Sequence, residues 1–308
     1  MLECGGASIR DHKSMSAPDC SVIIVSFNAG PVLLDCLRSV LHSTIAVEIL
    51  LVDNASDDGI LQQVSNEWGR DQRVRIWRNP TNIGFARGCN QALPAASAPW
   101  LLFLNPDCVV QRETLGQMLE VVQGREDVGM AGCLIRNPDG TEQAGCRRRE
   151  PTPMRSLSRV LHLSRSAPGR NGVGDLNMHR EPLPPEPITV EAISGAFMLV
   201  RREAIGRVGA LDEGYFLHFE DLDWCRRFRD AGFSILFVPS VEVIHHKGTG
   251  SRGRPVWVEW HKHRGMLRYF RKFHRKGNFV LTDLLVRIGV WSRFGLLATV
   301  ITVRRLLK

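Results

Sequence analysis

The sequence lacks the cysteine spacing of a structural metal site. Its eight cysteines are scattered along 308 residues, and none of them forms a CxxC pair or a His/Cys ligand pattern. No apolar run follows Met1, so we expect no signal peptide. Both absences are typical of a protein that keeps reduced thiols in the cytoplasm. With 44% hydrophobic and 23% charged residues, the composition is that of an ordinary folded protein.

Signatures of two other enzyme classes are also missing. The first apolar run leads into Phe27-Asn28-Ala29-Gly30-Pro31, where a dinucleotide-binding oxidoreductase carries G-x-G-x-x-G. Ser194-Gly195 does not stand in a G-x-S-x-G elbow, and no cysteine has a histidine partner by motif. The sequence therefore indicates neither a Rossmann-type oxidoreductase nor an enzyme that forms a covalent intermediate.

The first half of the chain contains alternating strand and helix patterns. Apolar runs predict four buried strands, at Ser21–Ser26, Val47–Val52, Val74–Arg78 and Trp100–Leu104. A turn and a segment with helical periodicity follow each of the first three runs. This alternation predicts an α/β fold with a mostly parallel central sheet that is covered by helices on both faces.

The second half begins with a long irregular stretch. Residues 147–187 are rich in Arg, Pro and Gly, and we interpret them as a mobile connection with at most a short helix near Met154–Leu163. Order resumes at Ile188, and a helix at Phe219–Ala231 and a strand at Ser234–Val238 follow. These boundaries predict a flexible lead-in at 1–19, one domain at 20–275 with halves at 20–146 and 188–275, and a C-terminal helical extension at 276–308.

Polar side chains follow consecutive predicted strands, namely Asn28, Asp53, Asn82 and Asp107. Ligands of open parallel sheets collect at this edge. Pro106 cannot donate to a strand ladder, so Asp107 is expected at the strand tip, where it can bind a hard cation such as Mg²⁺. The Asp53 carboxylate can accept a hydrogen bond from a nucleobase imide or a ribose hydroxyl. The alternative for any one of these residues is an ordinary turn.

Three acids stand together at the start of the predicted helix after Phe219. Glu220, Asp221 and Asp223 occupy three of four consecutive positions. Acids at a helix start are ordinarily explained by capping and by the helix dipole. Three of them beside aromatic residues exceed that need, so one of them is a candidate general base.

The C-terminal part is basic and then apolar. Nine Lys and Arg but only one acid lie between residues 252 and 276, a field that attracts phosphates, anionic lipid or nucleic acid, unless it is simply a solvated helix face. The apolar stretch Phe279–Val303 contains Asp283, Arg287 and Arg293. These charges favour an interfacial helix over a simple membrane span, with a packed core helix as the alternative.

Six blocks of the sequence resemble family 2 glycosyltransferases of GT-A fold, a Rossmann-like α/β fold. The likeness covers about residues 20–275, and within the family it is greatest to bacterial rhamnosyltransferases of cell-envelope polysaccharide synthesis. The six blocks, in order, are Ser21–Asn28, Leu51–Ser56, Asn82–Ala86, Leu102–Asp107, Ser194–Ala196 and Glu220–Asp223.

The resemblance implies an inverting transfer of a sugar from a nucleotide-sugar, assisted by Mg²⁺ or Mn²⁺. It points to dTDP-L-rhamnose as the donor, with UDP-linked hexoses open, and to a glycan or lipid-linked acceptor at the inner face of the cell membrane. It implies Asp221 as the base, and Asp107 and His245 at the metal, with His246 as the rival of His245. Glu220 and Asp223 can orient Asp221 or merely cap the helix, and we favour supporting roles for both. The residues that the resemblance places along the nucleotide-sugar are Phe27, Asn28, Asp53, Asn82, Gly84, Asn105, Ser194 and Gly195.

Two positions depart from the family pattern. Asn105 stands where the first aspartate of a DxD motif is usual, and Gly250 stands where a serine is usual after the histidine motif. A nucleic-acid-binding protein is the alternative of a different class, since the sequence pI is about 9.3. Against it, no recognition motif is present, and the strand-end acids would repel phosphate in the absence of a metal. We therefore expect no nucleic acid partner.

Overall fold

The computed structural model describes residues 17–152, 155, 176–248, 253–274 and 280–307. Its strands are β1 (Cys20–Ser26), β2 (Val47–Asp53), β3 (Val74–Arg78), β4 (Trp100–Leu104), β5 (Cys108–Val110), β6 (Val128–Arg136), β7 (Arg147–Arg148), β8 (Ile188–Thr189), β9 (Ala192–Ile193), β10 (Phe197–Arg201) and β11 (Ser234–His245). Its helices are α1 (Val32–Leu41), α2 (Ile60–Trp68), α3 (Phe85–Ala92), α4 (Thr114–Val122), α5 (Arg202–Val208), α6 (Glu220–Asp230), α7 (Pro255–Phe273) and α8 (Val280–Leu306).

The central sheet is mixed. Its strand order is β3-β2-β1-β4-β10-β6-β11-β5, and β8 pairs with β11. The run β3-β2-β1-β4 is parallel, and β1 and β2 are buried at every position, as expected of strands covered on both faces. The predicted α/β fold is confirmed. Beyond β4 the parallel run ends, because β10 pairs antiparallel with both β4 and β6.

Strand register brings the polar strand-end residues to one edge of the sheet. Ser26 is opposite Asp53 in the parallel pair of β1 and β2. On the other side of β1, Ile24 is opposite Leu104. Adjacent strands lie about 4.8 Å apart, so Asp53 and the loop that starts at Asn105 are separated by about 10 Å across β1.

Strand β11 is longer than the sequence suggested. We predicted it to end at Val238, but it continues to His245. Its pairing with β6 shifts register between Val238 and Glu242, which accommodates Pro239 because a proline has no N–H for the ladder. The extension sets His245 opposite Cys108 in the antiparallel pair of β11 and β5, and therefore beside Asp107.

The connection predicted at 147–187 begins with ordered backbone. Strand β7 pairs antiparallel with β9, with Arg148 opposite Ala192. Residues 153–154 and 156–175 lie outside the described residues, and so do 1–16 and 249–252. The mobility of the connection, the helix near Met154–Leu163 and the flexible lead-in therefore remain predictions.

Helices α7 and α8 form a hairpin at the end of the chain. Trp260 of α7 contacts Trp291 and Phe294 of α8, with ring centroids 4.8 and 5.6 Å apart. The opposite side of α8 is not packed in a core, since Leu281 and Leu296 are each 68% exposed. Within the described chain, α8 is the one helix long and apolar enough to cross a bilayer, with a mean hydropathy of 1.6.

Candidate active site

Asp107 and His245 form a buried pair at the carboxyl edge of the sheet. Asp107 follows β4 and is 4% exposed, while His245 ends β11 and is 6% exposed. His245 Nε2 lies 3.0 Å from Asp107 Oδ1 and 3.2 Å from Asn105 Nδ2. Both residues were predicted from the sequence as metal ligands, and the structure brings them together. The rival His246 is exposed and donates its backbone N–H to the Asp107 carbonyl.

The buried amide of Gln143 fixes the protonation of the His245 ring. Gln143 Nε2 donates to Asn137 Oδ1 at 2.9 Å and to the His245 carbonyl at 3.4 Å, so Gln143 Oε1 is the atom that faces His245 Nδ1, at 2.7 Å. Nδ1 must therefore carry a proton, and the lone pair of the neutral ring lies on Nε2. A histidine held in this way is a typical metal ligand.

The spacing of Asp107 and His245 fits one octahedral cation. Two adjacent ligands at about 2.1 Å from such an ion lie about 3.0 Å apart, which is the observed separation of Oδ1 and Nε2. Cys108 Sγ lies within 4.8 Å of both atoms, but it donates to the Ala196 carbonyl at 3.4 Å. Burial raises the pKa of the Cys108 thiol well above its ordinary value. The oxygen and nitrogen ligands suit a hard or borderline ion such as Mg²⁺ or Mn²⁺.

Asp221 is held at the start of α6 by three donors. Its Oδ2 accepts a hydrogen bond from Gly195 N at 3.1 Å and contacts Arg148 Nη2, while its Oδ1 accepts from Leu222 N at 2.8 Å. A Cβ on Gly195 would lie 3.2 Å from Asp221 Cβ. A glycine at position 195 therefore leaves room for the carboxylate.

Asp221 and Glu220 are in different protonation states at neutral pH. Burial on its own would raise the pKa of Asp221, but the Arg148 guanidinium outweighs it and holds that pKa below its usual range. Burial, followed by the charge of Asp221, raises the pKa of Glu220 to about 8. The pair thus combines an ionised Asp221 with a protonated Glu220, and only the former is ready to accept a proton.

A chain of backbone contacts joins Asp221 to the Asp107 pair. Gly195 N donates to Asp221, and the next carbonyl, of Ala196, accepts from Asn105 N at 3.0 Å. Asn105 in turn contacts His245. The loop at 194–196 therefore connects the two carboxylates through hydrogen bonds, although 114 positions separate them in the chain (221 minus 107).

Asp53 ends β2 and is fully buried. Its Oδ2 accepts from Ser56 N at 3.1 Å, while its Oδ1 has no hydrogen-bond partner among the described residues. The loops on either side are tied together, because Asn28 N donates to Ser56 Oγ and Asp57 N donates to Asn28 Oδ1, each at 2.9 Å. Phe27 is half-buried beside them. A buried acceptor without a donor is costly, so this atom is suited to a ligand N–H.

The loop at Asn82–Gly84 connects the Asp53 side of the site to the turn before Asp221. Asn82 Oδ1 accepts from Gly84 N at 2.9 Å, and the Gly84 carbonyl accepts from Asn54 Nδ2 at 3.1 Å. Gly84 has φ +89°, and a Cβ on it would lie 2.8 Å from the Phe216 carbonyl. Only glycine fits both the conformation and the close approach.

Two of the other predicted residues make contacts within the fold. The Asp223 carboxylate is fully buried and engages Arg227 at 2.6 Å, Lys272 at 2.7 Å and Tyr215 at 3.2 Å, so it ties α6 to α7. Ser194 Oγ accepts from Ala196 N at 3.2 Å and shapes the loop between the carboxylates. A supporting role for Asp223 and a ligand contact for Ser194 remain predictions.

Sequence reasoning missed Gln143 and Arg148. Both lie in the stretch between β6 and β8, where no strand or helix period is visible. Gln143 contacts His245 across 102 positions, and Arg148 contacts Asp221 across 73. Arginine and glutamine are common surface residues, so nothing in their local sequence could have distinguished them.

Comparison with known families decides the class of the protein. The model of glycosyl transferase family 2 matches residues 21–209, which is more than half of the chain, and the model of glycosyltransferase like family 2 matches residues 186–259. The chain is a member of glycosyl transferase family 2. The resemblance inferred from the six sequence blocks is therefore confirmed, and the protein is a glycosyltransferase.

This family 2 glycosyltransferase has relatives among the rhamnosyltransferases. It is 31% identical over 248 residues to N-acetylglucosaminyl-diphospho-decaprenol L-rhamnosyltransferase of Mycobacterium tuberculosis, covering 76% of this chain and 78% of that protein. It is 26% identical over 233 residues to rhamnosyltransferase WbbL of Escherichia coli K12, covering 73% and 82%. The protein is thus rhamnosyltransferase-like.

Its fold matches that of solved GT-A enzymes. A mannosyltransferase of Pyrobaculum calidifontis, solved in complex with GDP-Man and Mn²⁺, superimposes with a TM-score of 0.59 at 17% identity, covering 90% of this chain and 70% of that one. At this identity the similarity establishes the fold. The GT-A fold expected from the sequence, with its C-terminal helix, is confirmed.

Proposed function

We propose that this glycosyltransferase moves L-rhamnose from dTDP-L-rhamnose to a lipid-linked acceptor, with inversion, at a membrane surface. The observation that carries the proposal is the placement of Asp53, Asp107 and Asp221 around one edge of the sheet, linked through the loops at Asn82–Gly84 and 194–196. Each acid has a different environment, and each environment suits a different part of a nucleotide-sugar reaction.

Asp107 and His245 would hold the divalent cation. The fit rests on their 3.0 Å separation and on the Nε2 lone pair that Gln143 enforces. A bound Mg²⁺ or Mn²⁺ supplies positive charge for the diphosphate oxygens as the leaving group develops negative charge. Asn105 stands in place of a charged ligand. Its Nδ2 contacts His245 Nε2, and rotation of the amide would turn its oxygen towards the cation instead.

Asp221 acts as the base in a single displacement. The acceptor hydroxyl oxygen bonds to the anomeric carbon while the bond from that carbon to the diphosphate oxygen breaks. The hydroxyl proton passes to Asp221, and the nucleoside diphosphate leaves with the electron pair. Because Asp221 is ionised at neutral pH, it is in the protonation state that this step requires.

Asp53 accepts a hydrogen bond from the nucleobase. Thymine and uracil both present an imide N–H, which matches the buried Oδ1 of Asp53, an atom with no partner among the described residues. Both bases offer the same group, so Asp53 does not choose between dTDP and UDP donors. The choice of dTDP-L-rhamnose is supported by the names of the relatives in Mycobacterium tuberculosis and Escherichia coli, and UDP-hexoses are the competing donors.

A lipid-linked acceptor is supported by α8. Its exposed side carries large apolar residues between 39% and 80% exposed, namely Val280, Leu281, Leu284, Leu285, Ile288, Leu296, Val300, Val303 and Leu306. Two of its charged residues face α7: Asp283 is buried and lies 4.0 Å from Arg271, and Arg293 Nη1 lies 3.4 Å from His263 Nε2. This distribution suits a helix that lies in the interface of a bilayer. Membrane attachment would bring the site to an acceptor carried on a lipid diphosphate.

The basic residues of α7 give little support to a nucleic-acid partner. Arg268 and Lys272 both bind Asp212, at 2.7 and 2.8 Å, and Lys262 binds Glu259 at 3.1 Å. Cations engaged in this way contribute less to phosphate binding than the sequence count suggested. Salt-dependent DNA binding without nucleotide-sugar binding would favour the alternative.

A donor screen tests the proposed function. Purified protein with Mg²⁺ or Mn²⁺ is mixed with dTDP-L-rhamnose, UDP-glucose, UDP-GlcNAc or GDP-mannose, and melting temperature and product formation on a lipid-diphosphate GlcNAc acceptor are measured. We expect a metal-dependent shift and a rhamnosylated product with dTDP-L-rhamnose. A product only with a UDP-hexose would overturn the donor, and Asp107→Ala should abolish the metal-dependent part.

A vesicle assay tests the membrane contact. Truncation after about Lys276, or Leu284→Gln with Ile288→Gln, should release the protein from vesicles that contain anionic lipid. The two half-exposed side chains contribute about 1 kcal/mol each, so partitioning should fall by at least about tenfold. Leu183→Gln changes an apolar residue that is 44% exposed elsewhere on the molecule and is the matched control. Unchanged partitioning of the truncated protein would reject the membrane contact.

A further inference from the structure

Arg148 is a largely buried arginine whose guanidinium contacts the proposed base. It lies on β7, and its side chain is 14% exposed. Its Nη2 contacts Asp221 Oδ2 and donates to the Ile193 carbonyl at 2.5 Å. Its Nε is buried and has no hydrogen-bond partner within the described part of the chain. Nη2 thus makes two contacts at the site, while Nε makes no hydrogen bond to the described residues.

The preceding residue shows what a structural arginine looks like in the same strand. Arg147 is 2% exposed, binds Glu142 through Nε and Nη2 at 2.9 and 3.1 Å, and donates to the carbonyls of Pro182 and Glu181. Arg147 therefore joins β7 to the segment near residue 181 with nearly all of its donors. Arg148 points to the other side of the strand, and its Nε has no partner among the residues that the structure describes, so its contacts are less suited to stabilising the fold.

The groups around Asp221 leave Arg148 as its close cation. On α6 itself stand Glu220 and Cys225, both uncharged at neutral pH because burial raises their pKa values, to about 8 and to about 12. The turn before α6 brings His218, which is also within electrostatic range of Lys262 and Glu259 of α7. The Gly195 amide supplies a dipole rather than a charge. Among these groups, only Arg148 contacts the Asp221 carboxylate with a full positive charge.

We propose that Arg148 is a positioning residue for sugar transfer, which holds the Asp221 carboxylate in one orientation and keeps it deprotonated until the acceptor hydroxyl arrives. The proposal rests on the proposed role of Asp221. The second contact, to the Ile193 carbonyl, fixes the guanidinium to β9. The Asp221 carboxylate is therefore held in a fixed position relative to the loop at 194–196. After transfer, Asp221 carries the hydroxyl proton, which it returns to water before the next turnover.

Removing the cation should move the pH dependence of the reaction. An opposite charge in contact lowers the pKa of an aspartate by about one to three units. In Arg148→Gln, the acid limb of the kcat/KM profile should therefore move to higher pH by about one to three units. At a fixed pH on that limb, kcat/KM should fall about tenfold for each unit of the shift. Arg148→Lys keeps the charge, but its side chain is one atom shorter, so its ammonium group should fall short of the position from which Nη2 contacts both Asp221 and Ile193. It should keep the wild-type limb with a kcat at least about tenfold lower.

The experiment measures kcat/KM from about pH 3 to pH 9, a range that includes the lowered pKa of Asp221, for wild type, Arg148→Gln, Arg148→Lys and the control Arg149→Gln. Arg149 binds Glu181 at 2.5 Å, so its substitution removes the same charge one position away and should leave the limb in place. An Arg148→Gln limb and kcat equal to wild type would overturn the proposal. If Arg148→Gln does not fold, an unchanged kcat in Arg148→Lys would overturn it.

One further variant separates this proposal from the proposed function. Asp221→Asn removes the base without removing Arg148. If Asp221→Asn transfers sugar at the wild-type rate, the assignment of Asp221 is wrong, whatever the Arg148 variants do. If Asp221→Asn is inactive and the Arg148 variants behave as wild type, the assignment of Asp221 stands and the role of Arg148 is wrong.

Discussion

The contact between Gln143 and His245 makes a quantitative prediction about the metal site. Gln143 is 4% exposed, and its Oε1 lies 2.7 Å from His245 Nδ1. In Gln143→Leu the Nδ1–H group would lose its acceptor in a buried place, at a cost of about 1–3 kcal/mol. The ring can avoid that cost by moving its proton to Nε2, which removes the lone pair that the proposed metal would need. Partners of this kind are worth 10–100-fold in affinity, so Mn²⁺ binding should weaken by about 1.4–2.7 kcal/mol.

Isothermal titration of the purified protein with Mn²⁺ at constant pH measures this loss directly. Gln143→Glu keeps an acceptor for Nδ1–H and should bind Mn²⁺ at least as well as wild type. Asn137→Ala removes one of the two acceptors of Gln143 Nε2, at 2.9 Å, and should change affinity much less. The reasoning is refuted if Gln143→Leu binds Mn²⁺ with the wild-type Kd while remaining folded.

Three further predictions concern the acids and the loop between them. Asp53→Ala should weaken dTDP binding by about 1.5–3 kcal/mol, the value of a hydrogen bond to a charged group, and titration calorimetry showing unchanged affinity would contradict the nucleobase contact. Gly195→Ala should lower kcat, because its Cβ would press on Asp221 at 3.2 Å; Gly206→Ala, with no described atom within 4 Å of the new Cβ, should keep kcat and a normal melting temperature. Because the pKa of Glu220 is raised from 4.5 to about 8, the unfolded chain releases this proton first and wild-type stability falls as pH rises through that window. Glu220→Gln should therefore have a higher melting temperature than wild type at pH 9 but not at pH 5. The same difference in melting temperature at both pH values would contradict this.

The strand-end residues were accessible from the sequence because their positions depend on local patterns. Asp53 and Asp107 each follow an apolar run, and parallel strands place such ends at one edge. The three acids at the start of α6 were visible for the same reason. Local chemistry thus indicated most of the groups that contact a ligand in the proposed mechanism.

The residues that fix those groups were not accessible, because their roles depend on packing between distant segments. Gln143 matters through His245, and Arg148 matters through Asp221, and both lie where no periodicity predicts a position. His245 itself reaches Asp107 only because β11 continues past Pro239 through a register shift. Likewise, the antiparallel insertion of β10 between β4 and β6 follows from long-range pairing, which no short apolar run specifies.

The central claim is that Asp53, Asp107 and Asp221 surround one nucleotide-sugar site with a metal at Asp107 and His245. The most direct test is a crystal structure of the protein grown with MnCl₂ and dTDP, with an anomalous difference map at the manganese edge. We predict a manganese peak within about 2.0–2.3 Å of Asp107 Oδ1 and His245 Nε2, with the thymine imide at Asp53. A manganese peak away from this pair, or a nucleotide bound elsewhere on the surface, would contradict the account.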